Sequence, residues 1–407
     1  MKKIELLSPA GDMEKLKTAL YFGADAVYIG GKSFSLRALA GNFTEQEILQ
    51  AVEYTHALGK KIYVTVNVFA RNNEIENAEK YFKFLESAKI DGAIISDPGL
   101  IALARSCAPN LVINLSTQAN SLNYKTVEFW KNQGVKRVIL ARELSIDEIK
   151  EISEKNPDVE IETFVHGAMC ISYSGRCLLS DYLTDRSGNR GTCVQACRWQ
   201  YEFREKGSQG GFMEMQEDER GTYIMNSKDL NLLDHIDELD RAGVCSLKVE
   251  GRMKSEYYLA TVINAYRRAL DEYYEKGESY KQNPLFQLEL NKTAHREFTT
   301  AYFYGKNDRT VNYDDSQSKG THKFMAQVLD YDQKDGYALI EMRNRFKIGD
   351  VLEVLSPSDS LNKTIKVEKL TDLSDKPVED AKLVQQKLKL YTSVRLQAGD
   401  ILRKEYE

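Results

Sequence analysis

The sequence lacks an apolar run long enough to cross a bilayer, and its basic amino terminus lacks an apolar stretch of signal-peptide length. A membrane-spanning helix needs about 20 apolar residues, so neither a membrane span nor secretion is expected. We therefore expect a cytoplasmic protein without a membrane partner. In that reducing compartment, clustered thiols more often bind a metal or do chemistry than form disulfides.

Familiar hydrolase motifs are also missing. The sequence contains no HExxH, no Ser–His–Asp order and no nucleophile elbow, so the familiar protease mechanisms have no support in the residues. No GxGxxG follows the first predicted strand, which weighs against a doubly wound nucleotide-binding sheet. The net charge of −5 argues against unspecific coating of nucleic acid but leaves room for a basic cleft that holds one RNA.

The pattern that is present favours an α/β fold. Val- and Ile-rich runs, typical of strands buried on both faces, alternate with amphipathic helical segments. Eight such strands predict a (β/α)8 TIM-like barrel, with an open doubly wound sheet as the alternative. The predicted strands are Ile4–Ser8, Ala26–Ile29, Lys61–Val66, Ala93–Ser96, Val112–Ser116, Arg137–Ala141, the run that ends before the first clustered cysteine, and Ser246–Val249.

The chain of 407 residues is long enough for a second domain. The connection between the seventh and eighth strands is far longer than a βα loop needs. Short strands separated by turn residues near the carboxyl terminus predict a small all-β domain. We therefore predict a catalytic barrel at 1–276 with a cysteine-rich insertion at 168–244, a bridging segment at 277–321 and a small β-barrel at 322–407.

Four of the six cysteines lie within this insertion. Cys170, Cys177, Cys193 and Cys197 are separated by six, fifteen and three residues, with glycines between them. Four soft thiolates favour an iron–sulfur cluster or tetrahedral zinc over magnesium or calcium. The spacing is not a standard CxxC pairing, so buried thiols and redox disulfides remain alternatives.

Ionisable and polar residues are unusually frequent where the predicted strands end. In a barrel these ends form the mouth, where the active site lies, and the cysteine insertion begins there too. Two alternatives stay open: His166 has a structural role, and Lys248, Glu250 and Arg252 form an internal ion-pair network. The candidate catalytic residues are His166, Glu162, Lys248 and Glu250, and the candidate substrate-binding residues are Arg37, Asn67, Gln118, Arg142 and Arg252.

The cysteine stretch also carries a family signature. It reads Glu162-x-Phe164-x-x-Gly167-Ala168-Met169-Cys170-x-x-x-x-Gly175-x-Cys177-x-Leu179-Ser180. This pattern resembles peptidase family U32, and the likeness continues through ELLSPAGD, GADAVYIGG, FSLRA, LSTQAN, ILARELS, NSKDL and SLKVEGRMKS. The resemblance covers nearly the whole chain.

The resemblance implies an activity, a substrate and a cofactor, which the residues alone do not specify. Family members include collagenase-like peptidases and oxygen-independent RNA and quinone hydroxylases that carry a four-iron cluster on cysteines. The subgroup that this sequence resembles most converts the wobble uridine of tRNA to 5-hydroxyuridine with prephenate. It implies a 4Fe-4S cluster on the four cysteines. Some hydroxylases have a cysteine after the NSKDL-like motif where this sequence has Asn231, so the fourth ligand is expected to be Cys197.

Two other functions stay open at this point. One is a collagenase-like peptidase, and the other is an iron–sulfur scaffold or RNA-binding subunit that serves a partner protein. The expected partners of the hydroxylase are the anticodon stem-loop of a tRNA and prephenate.

Overall fold

The computed structural model describes residues 3–35, 41–170, 172–188, 192–199, 228–305 and 318–406. Arg37, one of the candidate substrate-binding residues, lies outside these ranges. Within them, no helix is both long and apolar enough to span a membrane.

Eight parallel strands close into a barrel, which confirms the predicted fold class. The strands are β1 (Glu5–Pro9), β2 (Ala26–Gly30), β3 (Lys61–Val66), β4 (Gly92–Ile95), β5 (Ile113–Leu115), β6 (Arg137–Ile139), β7 (Glu160–Ala168) and β9 (Val244–Val249). Strands β1 to β7 pair in chain order, and β9 pairs with both β7 and β1 to close the ring.

Two short strands extend the sheet beyond the end of β7. They are β8 (Asp229–Asn231) and β10 (Phe298–Thr299). Strand β8 pairs antiparallel with His166–Ala168, and β10 pairs parallel with β8. The last residues of β7 therefore project past the barrel and hold the start of the cysteine insertion in place.

Helices alternate with the barrel strands along the chain. They are α1 (Met13–Tyr21), α2 (Glu45–Ala57), α3 (Ile75–Ser87), α4 (Pro98–Cys107), α5 (Tyr124–Asn132), α6 (Ile146–Lys155), α7 (Leu179–Thr184), α8 (Ile236–Arg241), α9 (Glu256–Lys276) and α10 (Pro284–Leu290). Side chains fix several of their starts: Ser145 and Glu148 form the predicted capping box of α6. Asp97 caps α4 by accepting from the backbone N–H groups of Gly99 and Leu100.

The carboxyl-terminal strands form an antiparallel all-β unit, as predicted for the fold class. They are β11 (His322–Asp332), β12 (Tyr337–Met342), β13 (Phe346–Lys347), β14 (Val351–Leu355), β15 (Thr364–Lys366), β16 (Leu370–Thr371), β17 (Asp380–Ala381), β18 (Lys387–Tyr391) and β19 (Ile401–Glu405). Seven of them pair in the order β15-β14-β19-β11-β12-β18-β16, and β13 pairs with β17. Alternating residues such as Ala338, Ile340 and Met342 supply its buried core.

The chain divides into two compact units, each built from three stretches of sequence. The first comprises Met1–Leu16, Asp25–Met253 and Arg296–Ser318, and the second comprises Lys17–Ala24, Lys254–His295 and Lys319–Glu407. All eight barrel strands lie in the first unit, and the antiparallel sheet lies in the second.

Candidate functional site

A network of charged side chains fills part of the barrel interior. Arg137 lies 2.6 Å from Glu5, 2.8 Å from Glu160 and 3.0 Å from Glu162. Since β6 and β1 are not paired neighbours, the contact between Arg137 and Glu5 crosses the lumen. Lys248 continues the network with its ammonium 2.7 Å from Glu162.

The register places Glu162 deeper than the sequence suggests. Glu162 is the third of nine residues in β7 and is level with Ser246 of β9, so the prediction that it lies at a strand end was wrong. The sequence motif does not show the depth of Glu162, because β7 continues past the barrel to pair with β8. Glu162 is only 1% exposed and contacts both Arg137 and Lys248. In this position it compensates two buried cations.

Burial and ion pairing oppose each other in this network. Burial alone would raise the pKa of Glu5, but the charge and hydrogen bond of Arg137 outweigh it and lower that pKa. Burial lowers the pKa of Lys248, and Glu162 acts in the opposite direction. Lys248 also lies over the Tyr28 ring, 4.3 Å from its centroid, which stabilises the cation further.

Arg142 and Glu250 lie nearer the mouth and contact each other. Arg142 follows β6 and Glu250 follows β9, and their side chains form an ion pair of 3.2 Å. The Arg142 guanidinium also lies over the Phe164 ring, 3.9 Å from its centroid. Both charged side chains are partly exposed, at 12% and 17%. Of the candidate cations in the described ranges, Arg142 is the one placed where an incoming anion can reach it.

The other candidates differ in how accessible they are. His166 is 1% exposed, lies against the Phe298 ring, and its carbonyl accepts from the Glu250 backbone N–H. Arg252 is 4% exposed and donates to the Thr65 hydroxyl over a distance of 2.9 Å. Gly30 makes room for it, because a Cβ there would lie 2.2 Å from the guanidinium. These contacts suit positioning more than direct contact with a substrate.

Asn67 and Gln118 follow β3 and β5 at the mouth. Asn67 is half-buried, and its carbonyl accepts from Ser96. Gln118 is 4% exposed and lies in the short turn after β5. The structure therefore brings Asn67, Gln118, Arg142 and Glu250 to the same end of the barrel, as the strand order requires.

The first part of the cysteine insertion packs against this mouth. The Asn120 side chain donates to the Ser174 carbonyl over 3.1 Å. Gly175 has a φ of +76°, and a Cβ there would lie 3.2 Å from the Gln118 amide and 3.3 Å from the Phe69 ring. Glycine is needed both for the backbone conformation and for this close approach. The loop between Cys170 and Cys177 is thus held directly over the strand ends.

A small cavity joins this loop to the mouth. It has a volume of about 10 Å³ and is lined by Thr117, Arg142, Glu143, Met169, Cys170, Ser172 and Ser174. Its size matches one water molecule. Burial raises the pKa of the Glu143 carboxyl here, against the opposing charge of Arg142. The sequence places Glu143 with Arg142 among the polar residues at the strand ends, but it was assigned no catalytic or binding role.

The four clustered cysteines supply thiols of suitable chemistry at this place. Cys170 and Cys193 are exposed, Cys177 and Cys197 are half-buried, and no disulfide joins any of the six cysteines. The Gln195 backbone N–H donates to the Cys193 sulfur over 3.3 Å. Within the described ranges, no three His, Cys, Asp or Glu side chains gather closely enough to hold a metal. Four thiols suit an iron–sulfur cluster by their chemistry. In the part of the chain that the structure describes, the four sulfur atoms are not arranged as the ligands of one cluster.

Cys107 and Cys245 have a different environment. Burial raises the pKa of the Cys107 thiol, and burial raises that of Cys245 to about 12. Both thiols are half-buried, and both stay protonated near neutral pH.

Comparison with known proteins accounts for both units of the chain. The model of peptidase family U32 matches residues 11–313, and that of the peptidase family U32 C-terminal domain matches residues 320–403.

Three curated relatives illustrate the similarity. The chain is 42% identical to tRNA hydroxylation protein P1 of Bacillus subtilis, over 99% of this chain and 95% of that protein. It is 38% identical to tRNA hydroxylation protein P of Escherichia coli, over 90% and 89% of the two chains. It is also 35% identical to a 23S rRNA 5-hydroxycytidine synthase of Escherichia coli, over 74% of this chain and 45% of that protein. The chain belongs to peptidase family U32.

Proposed function

We propose that this chain is a tRNA hydroxylase. In this proposal it converts the wobble uridine to 5-hydroxyuridine without molecular oxygen, with prephenate as co-substrate and an iron–sulfur cluster held by the insertion. One observation supports the assignment as a tRNA hydroxylase. Relatives named for tRNA hydroxylation match this chain at 38% to 42% identity over nearly the full length of both proteins.

The cluster is proposed to use Cys170, Cys177, Cys193 and Cys197. Four thiolates are the usual ligand set of a 4Fe-4S cluster, and such a cluster supplies electron-transfer chemistry whose potential depends on hydrogen bonds to sulfur. The N–H donated to Cys193 is one such hydrogen bond. Zinc on the same thiols is the alternative, and metal analysis distinguishes the two.

Prephenate carries two carboxylates, and Arg142 is the proposed partner of one of them. A guanidinium can bind a carboxylate through two parallel hydrogen bonds. Arg142 lies beside Cys170 at the small cavity, and its guanidinium lies over the Phe164 ring. A bound carboxylate would replace Glu250, which now pairs with Arg142, so Glu250 would occupy the anion site until the substrate arrives.

The tRNA is proposed to approach the mouth with its anticodon loop. A base in a loop can turn out of its stack at modest cost and enter a pocket that a paired base cannot reach. The buried network of Glu162, Lys248 and Arg137 lies beneath and would fix the floor of that pocket.

Nucleoside mass spectrometry of tRNA from a strain lacking this gene tests the proposal. The strain is complemented with wild type, Cys170→Ala or Cys245→Ala. We expect 5-hydroxyuridine and its derivatives to disappear in the deletion strain and to return with wild type and with Cys245→Ala, but not with Cys170→Ala. An unchanged profile in the deletion strain, where no redundant pathway operates, would overturn the proposal.

The collagenase-like activity that gave the family its name is tested separately. Gelatin cleavage by the purified chain, lost on Cys170→Ala and present without any effect on tRNA, would favour a peptidase instead.

A further inference from the structure

The described part of the insertion exposes an unusual number of large apolar side chains. Within the short span from Tyr173 to Leu183, four of them are more than 40% exposed: Tyr173 at 45%, Leu178 at 64%, Tyr182 at 87% and Leu183 at 42%. Trp199, later in the same insertion, is 44% exposed. Such a grouping on a protein surface marks a place that contacts another molecule.

Helix α7 carries two of these side chains, Tyr182 and Leu183. Ser180 is the residue that α7 buries, and its hydroxyl donates to the Arg186 carbonyl and accepts from the Val194 N–H. This anchor holds the polar side of the helix against the loop. Tyr182, two residues later, is left with the highest exposure of any large apolar side chain in the described ranges.

Two arginines accompany the aromatic side chains. Arg176 and Arg186 are both exposed, and neither forms an ion pair with a described residue. Asp181 and Asp185 lie nearby on the same segment, so the charge here is balanced and not strongly basic. We call this set of exposed insertion residues, Tyr173, Arg176, Leu178, Tyr182, Arg186 and Trp199, the insertion face.

The insertion face continues directly from the candidate site. Tyr173 and Arg176 flank Ser174 and Gly175, which pack on Asn120 and Gln118 at the mouth. The face therefore borders the route by which a large substrate reaches Cys170 and the small cavity beside it.

We infer that the insertion face binds unpaired bases of an RNA loop, with Tyr182 as the stacking platform and Arg176 and Arg186 as phosphate contacts. This inference rests on the proposed function and names the part of the chain that holds its RNA. Aromatic rings with flanking arginines suit single-stranded RNA, because every base has a face that stacks and every nucleotide brings a phosphate. Stacking needs no strongly basic surface, which agrees with the balanced charge.

Fluorescence anisotropy with a labelled anticodon stem-loop RNA tests the inference on the full chain purified anaerobically. We expect Tyr182→Ala to weaken binding about 5- to 150-fold, the range that loss of one base–aromatic stack produces. Tyr182→Phe should bind within about twofold of wild type, since it keeps the ring. Phe129→Ala is the matched control, because Phe129 is an aromatic residue that is 54% exposed and lies on α5, outside the insertion.

Salt dependence tests the arginines independently. Replacing one phosphate contact on a single strand should reduce the slope of log affinity against log salt by about 0.7. We expect this for Arg176→Ala and Arg186→Ala, and an unchanged slope for Tyr182→Ala. Unchanged melting temperature and metal content would show that these exposed substitutions leave the fold intact.

The possible results separate this inference from the function on which it rests. Equal RNA affinity of wild type and Tyr182→Ala, in a protein that binds and hydroxylates tRNA, would overturn the inference alone. Failure of wild type to bind tRNA or to restore 5-hydroxyuridine would overturn both. Unchanged RNA affinity with loss of a stoichiometric complex with a protein partner would assign the insertion face to that partner instead.

Discussion

At the residue scale, the charges inside the barrel depend on one another. Glu162 serves Arg137 and Lys248 together, and all three side chains are 4% exposed or less. Removing one partner of a buried ion pair leaves the other charge uncompensated in a medium that solvates it poorly. The network therefore fixes the conformation of the barrel interior whether or not any member meets a substrate.

This dependence predicts a large stability loss for Glu162→Gln. We expect the free energy of unfolding to fall by about 3–5 kcal/mol, the usual result of breaking a buried pair. Glu128→Gln breaks the exposed pair with Lys125 and should leave the free energy of unfolding almost unchanged, because water and salt screen an exposed pair. Urea unfolding followed by circular dichroism measures both. Similar losses for the two variants would contradict the account of the network.

The surroundings of His322 predict that the stability of the carboxyl-terminal unit depends on pH. Burial lowers its pKa below the ordinary 6.5, Glu353 opposes this, and Arg403 and Lys292 add to the lowering. The unfolded chain then binds a proton that the folded chain resists, so stability is present above pH 6.5 and is lost as pH falls through the lower folded pKa.

The measurement compares wild type with His322→Gln between pH 5 and 8. We expect wild type to lose stability relative to the variant as the pH is lowered through this window, and the difference to be constant above it. A difference that grows in favour of wild type at low pH would mean that the sign is wrong.

Sequence reasoning identified the charged residues but not their depth. Lys248, Glu250 and Arg252 were correctly expected to follow or end one strand, yet only the register shows that Lys248 is bonded to Glu162 inside. Side-chain contacts across a lumen depend on barrel closure, which no local pattern contains.

At the element scale, the cysteine loop depends on one glycine. Gly175→Ala would place a Cβ against Gln118 and Phe69 and would strain a backbone at φ +76°. We expect the loop to shift from the mouth and tRNA hydroxylation to fall at least tenfold. Gly336→Ala is the matched control, since Gly336 has a similar φ of +69° but nothing within 4 Å of the added Cβ.

Thermal unfolding measures the stability of the two variants, and mass spectrometry of tRNA measures their hydroxylation activity. The strain alone should cost each protein about 1 kcal/mol, so equal small losses of stability with unequal modification would support the loop account. Equal modification by both variants would show that close packing of the loop is not required.

The cysteines form two classes with different expected behaviour. Substituting Cys170, Cys177, Cys193 or Cys197 by serine should lower the iron and sulfide bound per chain and the visible absorbance of anaerobically purified protein. Cys107→Ser and Cys245→Ser should leave both unchanged, because burial keeps these thiols protonated. One zinc per colourless chain, or iron retained in the four-cysteine variants, would contradict the cluster.

The elements themselves were largely predictable. The eight barrel strands and the capping box at Ser145 follow from Val/Ile runs and helix-start residues that act locally. The short strands β8 and β10 were harder to predict, because β8 pairs with the end of β7 and β10 pairs with β8, which joins segments far apart in sequence. The assembly of the four thiols is likewise a matter of the folded loop and its ligand, which spacing alone does not fix.

At the scale of the whole molecule, the fold supports many chemistries and does not choose between hydroxylation and peptide cleavage. The family is certain from matches that cover both units. The choice of RNA rests on relatives that share nearly the full length of the chain. The candidate site adds a reachable arginine beside Cys170 and an exposed aromatic face, which are features that a hydroxylase of RNA can use.

The most direct measurement is conversion of tRNA by the purified chain. Anaerobic, iron-loaded protein is incubated with tRNA from the deletion strain, with and without prephenate, and the nucleosides are analysed by mass spectrometry. The account predicts that uridine at the wobble position gains one oxygen atom only when loaded wild-type protein and prephenate are both present, and that Arg142→Ala needs far more prephenate. Hydroxylation that proceeds equally without prephenate, or none at all with loaded protein, would contradict it.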